Sequence, residues 1–173
     1  MDHLPATATV GTPPALSLER EFAADFQLVV NYLCRLTDDA RLAGGLACEA
    51  FRRVQERRPE DPGTSRLEVL RMATELSRRT LQPRGILRRR HRPAIDLAGF
   101  PNAEARRVLK RDTTQRALAA LPFESRAAIL LRDLLKLTYV ELAQVLGIPI
   151  RKLIQTLDRS RGELAEIYAY IKF

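Results

Sequence analysis

The run LTYVELAQVLGIPIRKLIQTLDRSR, from Leu137 to Arg161, constrains this chain more than any other segment. Thr138 and Glu141 stand three apart as a capping box, which fixes the start of a short helix. Ala143 is small, so a second helix can cross closely there. Gly147 sits where the first helix must stop and where a left-handed backbone costs least. Pro149 suits the start of the next helix. Ile150, Leu153 and Leu157, spaced three and four apart, predict that helix's buried side. Its other side carries Arg151, Lys152, Ile154, Gln155, Thr156, Asp158, Arg159 and Arg161. Arg, Lys and Gln hydrogen-bond phosphates and base edges. The pattern predicts a helix-turn-helix that offers its second helix to the DNA major groove. The plainer alternative is an ordinary packed pair with a polar face.

Charge points the same way. The chain has 173 residues and a net charge of +8. Residues 84–111 hold 9 Lys+Arg against 2 Asp+Glu, so nearly all the excess lies in the middle. Such a block favours a polyanion through counterion release, unless it is only a solvated linker. No run of about 18 apolar residues occurs, so no membrane span is expected. The N-terminal stretch MDHLPATATVGTPPALS lacks a basic start and an apolar core; it reads as a disordered tail over 1–17, not a secretory signal. Cys34 and Cys48 form no CxxC and have no neighbouring His. They are expected to be reduced, mostly buried thiols of a cytoplasmic protein. No catalytic triad, phosphate loop or metal constellation is present, so neither enzyme activity nor a cofactor is expected.

The hydrophobic period is helical throughout. A first helix is predicted over Leu18–Leu36, with Phe22, Phe26, Val29, Val30 and Leu33 as its stripe. Thr37-Asp38-Asp39 is a turn that can cap the next helix. That helix, Ala40–Arg57, carries Leu42, Ala43, Leu46, Ala47, Ala50, Phe51 and Val54. Pro59–Gly63 is a loop. Ser65 and Glu68 form a capping box for a third helix, which ends at Pro83 and Gly85. Residues 84–101 read as a basic linker. A helix from Asn102 to about Leu121 and an apolar one over Glu124–Lys136 precede the helix-turn-helix. The expected fold is all-α: a helical domain over 18–83, the linker, and a helix-turn-helix domain over 102–173.

With these residues placed, the chain resembles sigma factors of the extracytoplasmic-function type. LPFESRAAILLRDLLKLTYVELAQVLGIPI resembles their sigma-four domain. Leu121, Pro122, Arg126, Leu137, Tyr139, Glu141, Ala143, Leu146, Gly147, Ile148, Pro149, Leu153, Leu157, Arg159 and Arg161 match identically or conservatively. DDARLAGGLACEAFRRV, Asp38–Val54, resembles their sigma-two domain through Asp39, Leu46, Glu49, Phe51 and Arg53. The resemblance implies a transcription factor that binds core RNA polymerase and directs it to promoter DNA, with an anti-sigma partner. On it, Leu46, Glu49, Phe51 and Arg53 would bind polymerase. Arg66, Arg71, Arg78 and Arg79 of the third helix would meet the −10 region. The recognition helix would read the −35 element.

The departures from that pattern are expected on the functional faces. Gly45 and Cys48 stand where the family has a polymerase-contacting Asp and Gln. Their loss leaves partner groups unpaired, and Gly44 with Gly45 costs about 1 kcal/mol each inside a helix. The third helix lacks the family's Trp and has Ala73-Thr74-Glu75 for Ala-Arg-Asn. With no aromatic between Arg52 and Gly99, capture of unstacked bases loses its usual platform. Ile154-Gln155-Thr156 replaces Lys-Ser-Arg on the reading helix. Two other readings compete with a divergent sigma factor. One is a sigma mimic that occupies an anti-sigma or polymerase surface without opening promoters. The other is a plain helix-turn-helix regulator, which the N-terminal resemblance disfavours.

Overall fold

The computed structural model describes residues 14–57, 66–81 and 102–172. Of the expected disordered tail over 1–17, residues 1–13 lie outside the described residues, as do the Pro59–Gly63 loop, Ser65 and the 84–101 linker, whereas residues 14–17 belong to the first helix, which begins at Pro14 and not at Leu18. The order is α1 (Pro14–Thr37), α2 (Ala40–Arg57), α3 (Arg66–Leu81), α4 (Asn102–Ala120), α5 (Phe123–Ile129), α6 (Tyr139–Leu146) and α7 (Ile150–Lys172). A π-helical turn, Leu130–Leu134, continues α5. The expected all-α class holds.

Helix ends follow local chemistry. The Thr37 hydroxyl donates to Leu33 O at 2.9 Å, and Asp38 turns the chain with φ 57°. Asp39 Oδ1 then accepts from the Arg41 and Leu42 amides, both at 3.0 Å, and caps α2. α2 runs unbroken through Gly44 and Gly45. A Cβ at either glycine would meet nothing within 4 Å, so no packing among the described residues requires them. The helix expected over Glu124–Lys136 differs. It begins at Phe123, and after Ile129 it widens into the π turn, where Leu135 N bonds Leu130 O at 3.1 Å. Lys136, at φ 59°, then redirects the chain into the helix-turn-helix.

α1, α2 and α3 pack mutually, and α7 packs on α4, α5 and α6. The two groups also pack on each other: α3 lies against α6, and α1 against α4, α5 and the π turn. One apolar cluster runs through both, from Val29, Leu33 and Leu36 through Leu70 and Ala73 to Leu131, Leu142, Leu153 and Leu157. Tyr32 is fully buried in it. The Tyr32 hydroxyl lies 2.9 Å from the Thr74 hydroxyl, which itself donates to Leu70 O at 2.7 Å. Thr74 has one proton, so Tyr32 is the donor and both buried hydroxyls are satisfied. Burial pushes the Tyr32 phenol well above its ordinary pKa. Thr74, expected among the departures on a functional face, is therefore a core residue. The thiols also part from expectation: both are free, but Cys48 is exposed and only Cys34 is half-buried.

Candidate nucleic-acid interface

The helix-turn-helix forms as its local signals require. Thr138 Oγ1 accepts from the Glu141 amide, and the Glu141 carboxylate accepts from the Thr138 amide at 2.7 Å. These bonds hold the Glu141 carboxyl below its ordinary range. Gly147 ends α6 at φ 68°, its amide bonded to Ala143 O at 2.9 Å. Arg132 lies over the Tyr139 ring at 4.7 Å and donates to Leu137 O, so the π turn is stapled to the start of α6.

α7 buries Leu153, Leu157 and Ser160 at 0–1% exposure. Ile150, expected beside them, is 41% exposed at the rim. It is the first residue of α7. Arg151, Gln155, Asp158 and Gly162 follow at three- and four-residue steps along the exposed side. Ile154, 41% exposed, and Lys152 flank that line. Arg151, Lys152 and Gln155 have no ion pair or side-chain hydrogen bond among the described residues. Three of the other predicted contacts, Thr156, Arg159 and Arg161, have partners within the chain. The Thr156 hydroxyl donates back to Lys152 O at 2.9 Å. Arg159 approaches Glu163 at 3.7 Å. Arg161 binds Asp133 at 2.6 Å, which ties α7 to the π turn and holds its guanidinium above the usual pKa.

The N-terminal candidates divide likewise. Leu46 and Phe51 are buried, and Phe51 packs on Phe26 with ring centroids 5.5 Å apart. They lie on the buried side of α2 and not on its outer face. Glu49 joins Arg52 and Arg53 in an ion-paired cluster, and Arg52 also pairs with Glu56. Arg52 and Arg53 push the Glu49 carboxyl down to about 2. On α3, Arg79 pairs with Glu75 at 2.8 Å, while Arg66 and Arg71 are exposed. Arg78 pairs with Glu75 at 2.6 Å and reaches out of its own helical group to Glu124 at 2.8 Å, with Phe123 under its guanidinium.

Sequence reasoning missed this last set, the links between the groups. Arg126, only 8% exposed, donates to Leu36 O on α1 at 2.7 Å and to Ala119 O and Leu121 O at 2.7 and 3.1 Å. Gln115 Nε2 donates to Arg35 O at 2.9 Å. Arg126 carried a family match, but nothing local signals that its fork would bridge two helical groups.

These features define an all-α protein with a capped helix-turn-helix. The family model described as Sigma-70, region 4 matches residues 111–164, which hold the helix-turn-helix. The fold is similar to that of the sigma factor RpoE from Bartonella quintana, solved in complex with the anti-sigma factor NepR. The TM-score is 0.66 and the identity 16%, over 87% of this chain and 96% of that one. The resemblance to extracytoplasmic-function sigma factors therefore holds in the region 4 match and in the fold. No curated protein sequence matches.

Proposed function

We propose that this chain is an alternative sigma factor. It binds core RNA polymerase and directs it to promoter DNA, with no catalytic step of its own. The carrying observation is the unpaired Arg151–Gln155 face of α7 inside the segment that matches sigma-70 region 4. Arg151 and Lys152 engage phosphates near the start of the recognition helix. Gln155, at the centre of the exposed line, reads adenine through its amide. Ile154 packs on a thymine methyl, and Asp158 accepts from cytosine and rejects guanine at its position. The exposed α2 surface around Glu49 and Arg53 is the polymerase side. No described helix is long and apolar enough to cross a membrane, in keeping with work in the cytoplasm beside polymerase. An anti-sigma factor is a further expected partner, since the similar RpoE chain was solved with one.

A second reading keeps some support. Gly45 and Cys48 are exposed on α2 where the sigma-two resemblance calls for a carboxylate and an amide. A mimic that occupies a partner without starting transcription would tolerate that loss. Pull-down of core polymerase with the full chain, followed by transcription on genomic fragments, separates the two. Specific transcripts support the sigma factor; polymerase or anti-sigma capture without transcripts supports the mimic; neither removes both.

A further inference from the structure

The basic block of residues 84–111 runs into α4, and the reading face of α7 leaves it unused. α4 carries five Lys+Arg against two Asp+Glu, a net of +3. α2, α3 and α7 each carry +2, with four against two, four against two and five against three. The largest cationic excess among the described helices therefore lies outside the helix-turn-helix.

Arg107, Lys110 and Arg111 stand three and four residues apart, so they share one face within about 6 Å along the helix axis. All three are exposed. None has an ion pair or side-chain hydrogen bond among the described residues. The acid beside them is turned away: Asp112 is 7% exposed and pairs with Arg116 at 2.7 Å. This separates the face from the paired arginines of α2 and α3, which are drawn onto Glu49, Glu56, Glu75 and Glu124. Like charges at this spacing destabilise a helix, so the cluster adds nothing to folding.

The face also limits its occupant. No aromatic residue occurs in α4, so unstacked bases have no platform there, which disfavours a single strand. Leu109, 51% exposed, stands two positions from both Arg107 and Arg111 and so points off the face. The face therefore lacks the apolar or aromatic anchor on which protein interfaces centre. What remains is guanidinium and ammonium donors at a regular spacing, which suit phosphate oxygens. The phosphate backbone of a duplex meets all of these conditions.

We propose that Arg107, Lys110 and Arg111 form a second contact to duplex DNA, made to phosphates alone and separate from the reading face of α7. This rests on the reading of the chain as a DNA-binding protein and extends it. α7 supplies sequence preference, and α4, which packs on α7, supplies a hold without preference.

The test titrates the full chain onto a duplex of arbitrary sequence at several salt concentrations. The triple variant Arg107→Gln, Lys110→Gln, Arg111→Gln should lower the salt slope by about 3. Between about 50 and 200 mM salt, the wild-type chain should then lose about 40-fold more affinity than the triple variant. Arg107→Lys with Arg111→Lys should keep the wild-type slope. Selection from randomised duplexes should return the same preferred sequence for the triple variant as for wild type. An unchanged slope in the triple variant overturns the proposal and leaves these cations to solvent or to an acidic protein surface. A changed sequence preference overturns it too, because the face would then belong to the reading interface. So does a slope that falls on single-stranded RNA of equal length but not on the duplex. The double variant Arg151→Ala, Lys152→Ala separates the two readings. A slope lowered there but not in the α4 variant strikes this contact alone, and the reverse strikes the α7 reading and leaves this contact standing.

Discussion

The outer faces of α2 and α7 are both rich in arginine, yet they use it in opposite ways. On α2, Arg52 and Arg53 are drawn onto Glu49, and Arg52 also reaches Glu56. On α7, Arg151 and Lys152 have no carboxylate partner among the described residues. A side chain already paired to a carboxylate must surrender that partner before it can hold a phosphate. The neutralised face therefore suits a polar protein surface, and the open one suits DNA. α3 lies between these cases: Arg79 and Arg78 are paired, and Arg78 is shared with the other helical group.

The comparison can be broken at several strengths. The largest effect should come from the shared core. Leu153→Ala should destabilise the chain by about 2–5 kcal/mol. Because one apolar cluster joins the groups, Leu36→Ala should shift the same single urea transition. Two separable transitions would show that the groups fold independently. Next comes base reading. Gln155→Ala should lose about 1–3 kcal/mol of preference for adenine at one position in selections from randomised duplexes. Adenine retained at that position would take Gln155 out of the groove. The phosphate contacts follow. Arg151→Ala and Lys152→Ala should each lower the salt slope of duplex binding by about 1, and Arg52→Ala should leave it unchanged. Equal slopes for all three would erase the contrast between α2 and α7. A smaller change is expected at the turn: Thr138→Ala should cost about 1 kcal/mol through loss of the cap, read by thermal unfolding.

The smallest effect is acid dependence at α2. The Glu49 carboxyl is held near 2, below its ordinary 4.5. Its folded-state pKa is depressed, so its contribution is present above about 4.5 and is lost as pH falls towards 2. Amide exchange in α2 should quicken across that window, and Glu49→Gln should flatten the response. A response that persists in Glu49→Gln belongs to another group.

Much of this was legible in the residues. The bounds of α2, the Thr138–Glu141 box, the Gly147 stop and the Leu153–Leu157 core line all rest on rules that act within one or two turns. Two kinds of feature were not. Leu46 and Phe51 matched a motif without any indication that both lie under α2. Ile150 fits the apolar spacing, yet as the first residue of α7 it is 41% exposed. The π turn at Leu130–Leu134 was also hidden, since its sequence reads as continuous apolar helix.

The sequence alone determined an all-α chain with a capped helix-turn-helix and the residue types of its reading face, because caps, turns and helical period are local. Only the tertiary structure decided which charges on that face are free, that Thr74 belongs to the core, and that Arg126 and Glu124 close one helical group on the other. Those outcomes depend on pairs such as Leu36–Arg126 and Arg78–Glu124, whose members lie 90 and 46 residues apart. No spacing rule reaches that far. Their geometry follows from how the buried faces of the seven described helices settle against one another.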